Sequence, residues 1–313
     1  MRAVRLNGPA DRPVLVEADV PRPIPANDEV LIRVHAVGVT PTELIWYPTT
    51  HNKDGSARSG AIPGHEFSGV VVAKDDSATG FSIGDEIYGM SDWFIDGASA
   101  EFCVAAASSI APKPAKLTHA EAAAVPIGAL TAWQGLVDHA RLKPGERILI
   151  HGGAGAVGVF AIQLARNLGA EITATASTKT LDFVTALGAR HVIDYTTDVF
   201  EQRVRDVDVV FDCVGGETLM RSWSVLRPGG RMVTIAASSE APADPRVKDA
   251  FFIVEPNQKQ LVEIGELLNT GNLRVFVDME IPLSDAPAAY SQKLARRLGY
   301  GKTVVVLPAN QTT

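Results

Sequence analysis

The stretch that most constrains this chain is Ile148–Gly158, "ILIHGGAGAVG". Four strand-like residues run straight into Gly153-Ala154-Gly155-Ala156-Val157-Gly158, and an amphipathic pattern follows. A glycine triplet of this spacing is weak evidence alone. Between a buried strand and a helix it becomes a phosphate cradle. Gly153 allows the tight turn, Gly155 lets the backbone approach a pyrophosphate with no Cβ in the way, and Gly158 lets the helix pack close to the strand. The loop of Gly153, Ala154, Gly155, Ala156, Val157 and Gly158 then presents a helix N-terminus, with its unpaired N–H groups and positive dipole end, to a dinucleotide.

The surrounding pattern extends that reading. "RILIH", "EITATA", "HVIDY", "VDVVFDCVG" and "RMVTIAA" read as strands. Helices are expected over 156–168, over 180–187 and in "ETLMRSWSVL", with "RPGG" as a turn. Strands alternating with helices predict a parallel sheet with right-handed crossovers. Near-continuous apolar character in the strands predicts cover on both faces. Upstream, residues 1–120 read as β-rich, with "EVLIRVHAVGV", "FSGVVVA" and "AEFCVAA" as strands. Thr118 is an N-cap with Glu121 as its capping-box partner. A long helix is expected over 256–269. "FVDMEIPL", a helix over 285–298 and "GKTVVVL" follow, and these last elements can rejoin the first region.

The acid expected about 20 residues after the glycines, at the end of the second strand, is missing. The strand ends in Ser177, Thr178 and Lys179. A carboxylate ~4 Å from a 2′-phosphate costs several kcal/mol at an effective dielectric of about 20, and a lysine gains a similar gross term. The residue choice therefore favours NADPH, with Lys179 as a surface helix-start residue the alternative.

Composition closes off other classes. The net charge of −7 argues against nucleic acid, which needs a basic face. The two cysteines, Cys103 and Cys213, exclude a disulfide scaffold; both are expected to be buried and inert, in a reducing cytoplasmic setting. The N-terminus turns polar after six residues, unlike a signal peptide. The longest apolar run, Ala122–Trp133, is twelve residues and contains Pro126 and Gly128, too short and broken to span a membrane.

"PGHEFSGVV" (63–71), "GDEIYG" (84–89), "GGETL" (215–219), "LRPGGRMV" (226–233) and "GKTVVV" (301–306), together with "GGAGAVG", resemble the medium-chain dehydrogenase/reductase superfamily. Within it the chain resembles the zinc-free quinone oxidoreductase branch, over nearly its whole length. The resemblance implies an α/β protein: a GroES-like β-rich catalytic domain (1–120 and 272–313), a Rossmann doubly wound parallel-sheet cofactor domain (121–271), a cleft between them and a homodimer. It implies that Thr131 lies against the nicotinamide, that Val214 and Gly215 border the ribose, and that Ala236 and Ala237 lie beside the carboxamide with Phe252 and Val254 flanking the same end. Tyr195, with Ser177 and Lys179, then surrounds the adenosine 2′-phosphate. Lys302 is either a phosphate contact or a strand-edge lysine.

The zinc-holding relatives use a cysteine where this chain has Thr40, the histidine matching His65, and a later cysteine or acid that "PIGALTAW" lacks. A catalytic zinc needs three protein ligands, so no metal is expected and His65 is read as a satisfied polar residue. Without a metal to stabilise an alkoxide, hydride transfer to a small electron-poor acceptor, a quinone or an α,β-unsaturated carbonyl, is the easier chemistry. Thr40 and Tyr47 are the candidate catalytic residues, with Tyr47 and Trp46 as pocket wall the bland reading. The polar loop 48–62 is a lid or an exposed connection, and Asp92, Trp93 and Phe94 are candidates for the same mouth. An alcohol dehydrogenase, or an NADPH-binding protein with little catalysis, are the other readings.

Overall fold

The computed structural model describes residues 1–8, 14–236 and 244–308. Among these, strands form a parallel five-stranded sheet, a mixed seven-stranded sheet and a two-stranded ribbon.

The parallel sheet runs in the order His191–Asp194, Glu171–Ala176, Arg147–His151, Val207–Asp212, Leu226–Thr234. Its strands are covered on both faces, and alternate residues choose the side. Ile148 and Ile150 join Val209 and Phe211 in one core, with Ala161, Ile162, Leu164 and Ala165 of the helix Gly158–Asn167. Leu149 and Val210 point the other way, into a core with Leu219 and Val225. Each such aliphatic side chain contributes about 1.5–3 kcal/mol on burial. The chain order reverses between the strand Arg147–His151 and its two neighbours, which opens a crevice at the strands' C-terminal ends.

The strand Glu29–Gly38 organises the mixed sheet. It pairs antiparallel with Glu66–Lys74 along one edge, and on the other edge with Phe102–Ala106 and then Lys302–Val306. The C-terminal strands Val277–Pro282 and Lys302–Val306 pair parallel with each other and so complete the sheet begun at the N-terminus. The helix His119–Ala123 starts at Thr118 with the expected capping box.

Three expectations are corrected. The helix expected over 285–298 ends early, as Ala286–Tyr290. Gln292 already has positive φ, Asp278 accepts the Leu298 N–H at 2.5 Å and Arg296 Nε–H at 3.1 Å, and Gly299 and Gly301 are left-handed. A buried carboxylate thus captures the segment that helical periodicity alone would continue. At the glycine turn, Gly152 rather than Gly153 takes the left-handed conformation, φ 75°. A Cβ on Gly153 would instead press on Ile162, Val184 and Ala174 at 3.1–3.3 Å. The "RPGG" segment lies within the strand span 226–234 as a bulge: pairing passes from Leu226 to Arg231, with Gly229 left-handed between them.

Candidate active site

A cleft of about 420 Å³ lies over the ends of the parallel strands and reaches the mixed sheet. One wall is Gly152 and Ala154–Gly158, from the turn and the mouth of the helix Gly158–Asn167. The turn is held from inside. Thr175 accepts the Gly153 N–H through its carbonyl at 2.9 Å and the Gly152 N–H through Oγ1 at 3.2 Å. A Cβ on Gly158 would come within 2.2 Å of the Gly152 carbonyl, whereas on Gly155 it would meet only that carbonyl, at 3.2 Å. Gly158 is thus required by packing, and Gly155 keeps the cleft side open. The Val159 and Phe160 N–H groups donate back to the Gly155 and Val157 carbonyls, which leaves the Ala156, Val157 and Gly158 N–H groups at the helix mouth without a backbone acceptor among the described residues, so the wall suits a phosphate.

Ser177, Thr180 and Tyr195 line one end of the cleft, with Tyr195 well exposed. Ser177 and Thr180 hydroxyls are 3.1 Å apart. Lys179 is exposed on the adjoining turn Thr178–Thr180. The nearby acid, Asp194, is tied up by Thr178 Oγ1 at 2.5 Å and Thr196 Oγ1 at 2.7 Å. These hydrogen bonds hold its carboxyl below the usual range.

Thr40, Pro41, Thr42, Ile127, Gly128, Cys213 and Ile235 close the rest of the cleft, with Arg296, Gly299 and Lys302 from the C-terminal segment. No aspartate or glutamate is among the lining residues. Cys213 was expected to be inert packing; it is half-buried and faces the cleft, with its thiol pushed well up by burial and the Asp212 charge. Cys103 is buried in the mixed-sheet core, and burial likewise pushes its thiol up.

The remaining expected site residues lie further out. Thr131 is buried and its hydroxyl donates back to the Ile127 carbonyl at 2.5 Å. Val214 is exposed beside the Gly215 turn, and Ala236 packs its carbonyl against Gly215. Phe252 and Val254 are buried in the core beside the parallel sheet, where Phe252 stacks on His139 at 4.3 Å. Ala237 lies outside the described residues. Tyr47 is 40% exposed and stacks on His51 at 4.3 Å, outside the residues lining the cleft. The segment after it is a short turn, Tyr47–Thr50, closed by a bridge between His51 and Ala57 and anchored by Arg58 on Asp96 at 2.7 Å. Trp93 packs edge-on to Trp46 and donates Nε1–H to the Val254 carbonyl at 3.0 Å.

Two buried polar clusters adjoin the cleft; sequence reasoning names His65 as a satisfied polar residue and names Thr40 and Lys302, but misses Glu43 and the pairing of Lys302 with Glu66. Glu43 is fully buried and accepts the Gly64 N–H at 3.1 Å and His65 Nδ1–H at 2.5 Å; His65 Nε2 faces the Ile95 carbonyl at 3.2 Å. Glu66, also fully buried, accepts the Ile127 N–H at 3.0 Å, the Thr40 hydroxyl at 3.3 Å and the Lys302 ammonium in direct contact. Burial pushes Lys302 down to about 7, against the upward pull of Glu43. The only sequence signal for either cluster was charge inside apolar surroundings, "TELIW" and "GKTVVV".

These donors do not fit a zinc ion. Both His65 nitrogens are engaged and a lysine sits on Glu66, where a second cation would meet like charge. Among the described residues no three His, Cys, Asp or Glu side chains converge to hold a metal.

Comparison with known proteins places these features. Residues 26–115 match the alcohol dehydrogenase GroES-like domain, 187–305 the zinc-binding dehydrogenase family, and 133–215 the alanine dehydrogenase/PNT C-terminal domain. A relative from Arthroderma benhamiae, named "Probable zinc-binding oxidoreductase, mitochondrial", is 33% identical, covering 97% of this chain and 96% of its own. The quinone oxidoreductase from Coxiella burnetii superposes with a TM-score of 0.85 at 29% identity, over 98% of this chain and 99% of its own. A mycobacterial protein solved in complex with NADPH superposes with a TM-score of 0.82 at 28% identity, over 98% and 100%.

Proposed function

We propose that this chain, which belongs to the quinone oxidoreductase-like branch of the medium-chain dehydrogenase/reductase superfamily, is an NADPH-dependent reductase that works without zinc on a quinone or an α,β-unsaturated carbonyl. The observation that carries the reading is the lining of the cleft: the glycine turn and a helix mouth with free N–H groups form one wall, and no aspartate or glutamate is among the lining residues. That is the lining a cofactor with a pyrophosphate and a 2′-phosphate asks for.

The helix mouth at Gly155–Gly158 seats the pyrophosphate. Ser177, Tyr195 and the adjoining Lys179 receive the adenosine end. Ile127, Gly128, Cys213 and Ile235 form the wall that orders the other end and keeps water out. When bound, the dihydronicotinamide supplies a hydride. The engaged state of His65 and Glu66 supports the zinc-free part of the reading, and the Arthroderma relative's name makes it worth testing directly.

The test is NADPH oxidation by the chelator-treated protein with menadione and with methyl vinyl ketone, beside elemental analysis. Turnover of either acceptor without zinc is expected. Stoichiometric zinc with activity lost on chelation would overturn the zinc-free reading, and absence of turnover with both acceptors the reductase reading. The same proposal includes a homodimer in the cytoplasm, checked by light scattering and cell fractionation. Among the described residues no helix is long and apolar enough to cross a membrane.

A further inference from the structure

We propose that Lys302, acting through the Thr40 hydroxyl, is the proton source for the reduction. The inference rests on the reductase reading above and names the group that completes its chemistry. Hydride addition leaves negative charge on the acceptor, and a positioned acid accelerates its neutralisation.

Thr40 and Lys302 both line the cleft, although 262 residues separate them in the chain. Lys302 donates to Thr40 Oγ1 at 3.0 Å, so the lysine occupies an acceptor lobe of that hydroxyl. The Thr40 proton points at Glu66 Oε1 over 3.3 Å, a long hydrogen bond. Rotation about one side-chain bond redirects that proton to an acceptor oxygen in the cleft. Glu66 does not lose its satisfaction in the exchange, because the Ile127 N–H and Lys302 remain on it.

The competing donors are less well placed. Both His65 nitrogens are occupied away from the cleft, and Tyr47 stands outside it on His51. Cys213 faces the cleft, but its raised thiol is a weak acid. Arg296 is held by Asp278, and a guanidinium is not a general acid for this step. The charged groups facing Lys302 are Glu66 from the strand Glu66–Lys74, Glu43 from the turn Pro41–Ile45, and Arg296 from the segment before its own strand. Burial brings the ammonium near neutrality, where it can both release a proton and regain one from water.

For an enone the step balances as follows. As the β-carbon takes the hydride, the carbon–carbon π pair moves to the α-carbon and the carbonyl oxygen. The Thr40 O–H bond breaks and an O–H bond forms at the substrate oxygen. A Lys302 N–H proton passes to Thr40 Oγ1, leaving a neutral amine that water reprotonates, and the enol relaxes to the saturated ketone.

The test uses Thr40→Val, which leaves the Lys302–Glu66 pair intact, Thr40→Ser, and the charge-balanced double variant Lys302→Met with Glu66→Gln. Each is assayed with NADPH and methyl vinyl ketone. Thr40→Val should lower kcat by about 10²-fold or more, with NADPH affinity from tryptophan fluorescence held within about threefold. Thr40→Ser should recover to within about tenfold of wild type. The double variant should lose the pH limb of kcat that reports Lys302. Independently of turnover, competitive acetylation of the protein without cofactor should show Lys302 titrating near neutrality while exposed lysines titrate at about 10. The proposal is overturned by a Thr40→Val enzyme with unchanged kcat, by a double variant whose only defect is weaker NADPH binding, or by a Lys302 that titrates with the surface lysines. A wild-type protein inert towards methyl vinyl ketone and menadione overturns the reductase reading instead, and this inference with it.

Discussion

Glu43 grips His65 through Nδ1 at 2.5 Å, although the two lie 22 residues apart and on different elements. Glu43 comes from the turn Pro41–Ile45 and His65 from the residue before the strand Glu66–Lys74. Both are almost wholly buried. This pair fixes the loop that carries Thr40 and Thr42 against the end of the strand that carries Glu66. The wall of the cleft that holds Thr40 and Lys302 therefore depends on a buried hydrogen-bonded pair that does not line the cleft.

Removing the acid should be costly. Glu43→Ala would leave His65 Nδ1 and the Gly64 N–H unpaired in a dry interior, a loss of about 3–5 kcal/mol. Urea denaturation should show it, and Glu43→Gln, which keeps an acceptor, should lose less. Equal stability of Glu43→Ala and wild type would mean that the pair is not structural.

The glycines should separate by role. Gly158→Ala drives a Cβ against the Gly152 backbone and should destabilise the fold by about 1–3 kcal/mol. Gly155→Ala meets a single contact at 3.2 Å and should melt close to wild type. Its defect should appear as NADPH affinity lowered on the order of tenfold by a methyl group in the phosphate's path. A Gly155→Ala protein that binds NADPH normally would show that the phosphate does not approach this turn.

Lys179 tests cofactor choice. Lys179→Glu should weaken NADPH binding by about tenfold or more while leaving NADH affinity nearly unchanged, so the preference narrows. The effect should shrink with added salt, because the side chain is exposed. An equal loss for both cofactors would place Lys179 away from the 2′-phosphate.

His151 gives the fold an acid sensitivity. It is buried beneath the glycine turn, with Thr175 Oγ1 at 3.2 Å and Ser222 Oγ at 2.9 Å, two hydroxyls that a neutral ring satisfies. Burial pushes it down to about 4, although Asp212 and Glu201 pull upward. The unfolded chain takes up this proton below pH ~6.5, the folded chain only below ~4. Its contribution is therefore full above pH ~6.5 and declines as pH falls towards ~4, by up to about 3 kcal/mol. Urea midpoints at pH 7 and pH ~4.5 should drop less between the two conditions for His151→Gln than for wild type. Parallel slopes would remove His151 from the acid response.

Much of this was legible in the chain. The parallel sheet followed from the alternation of near-continuously apolar strands with helices, whose stops are glycines such as Gly188, which caps Leu181–Leu187 with φ 121°. The capping box at Thr118 and Glu121 needed only three residues of spacing. Local rules succeed where the determining contacts are local. They failed at 291–301, where Asp278 outcompetes helical hydrogen bonds for the backbone and side chains of a distant segment. They also could not tell Gly152 from Gly153, because which glycine turns left depends on how Thr175 anchors the loop.

The sequence by itself determined a glycine turn between a buried strand and a helix, a parallel sheet behind it, and a second strand ending in hydroxyls and a lysine rather than an acid. Only the tertiary structure decided what faces that turn. Thr40, Glu66 and Lys302 are ordinary letters in three separate strings. Folding brings the last strand beside the first long one and buries Glu66 and Lys302 under the half-buried Thr40. Proton affinity and hydrogen-bond direction are set by that surrounding dielectric and those partners, which no single stretch of chain carries.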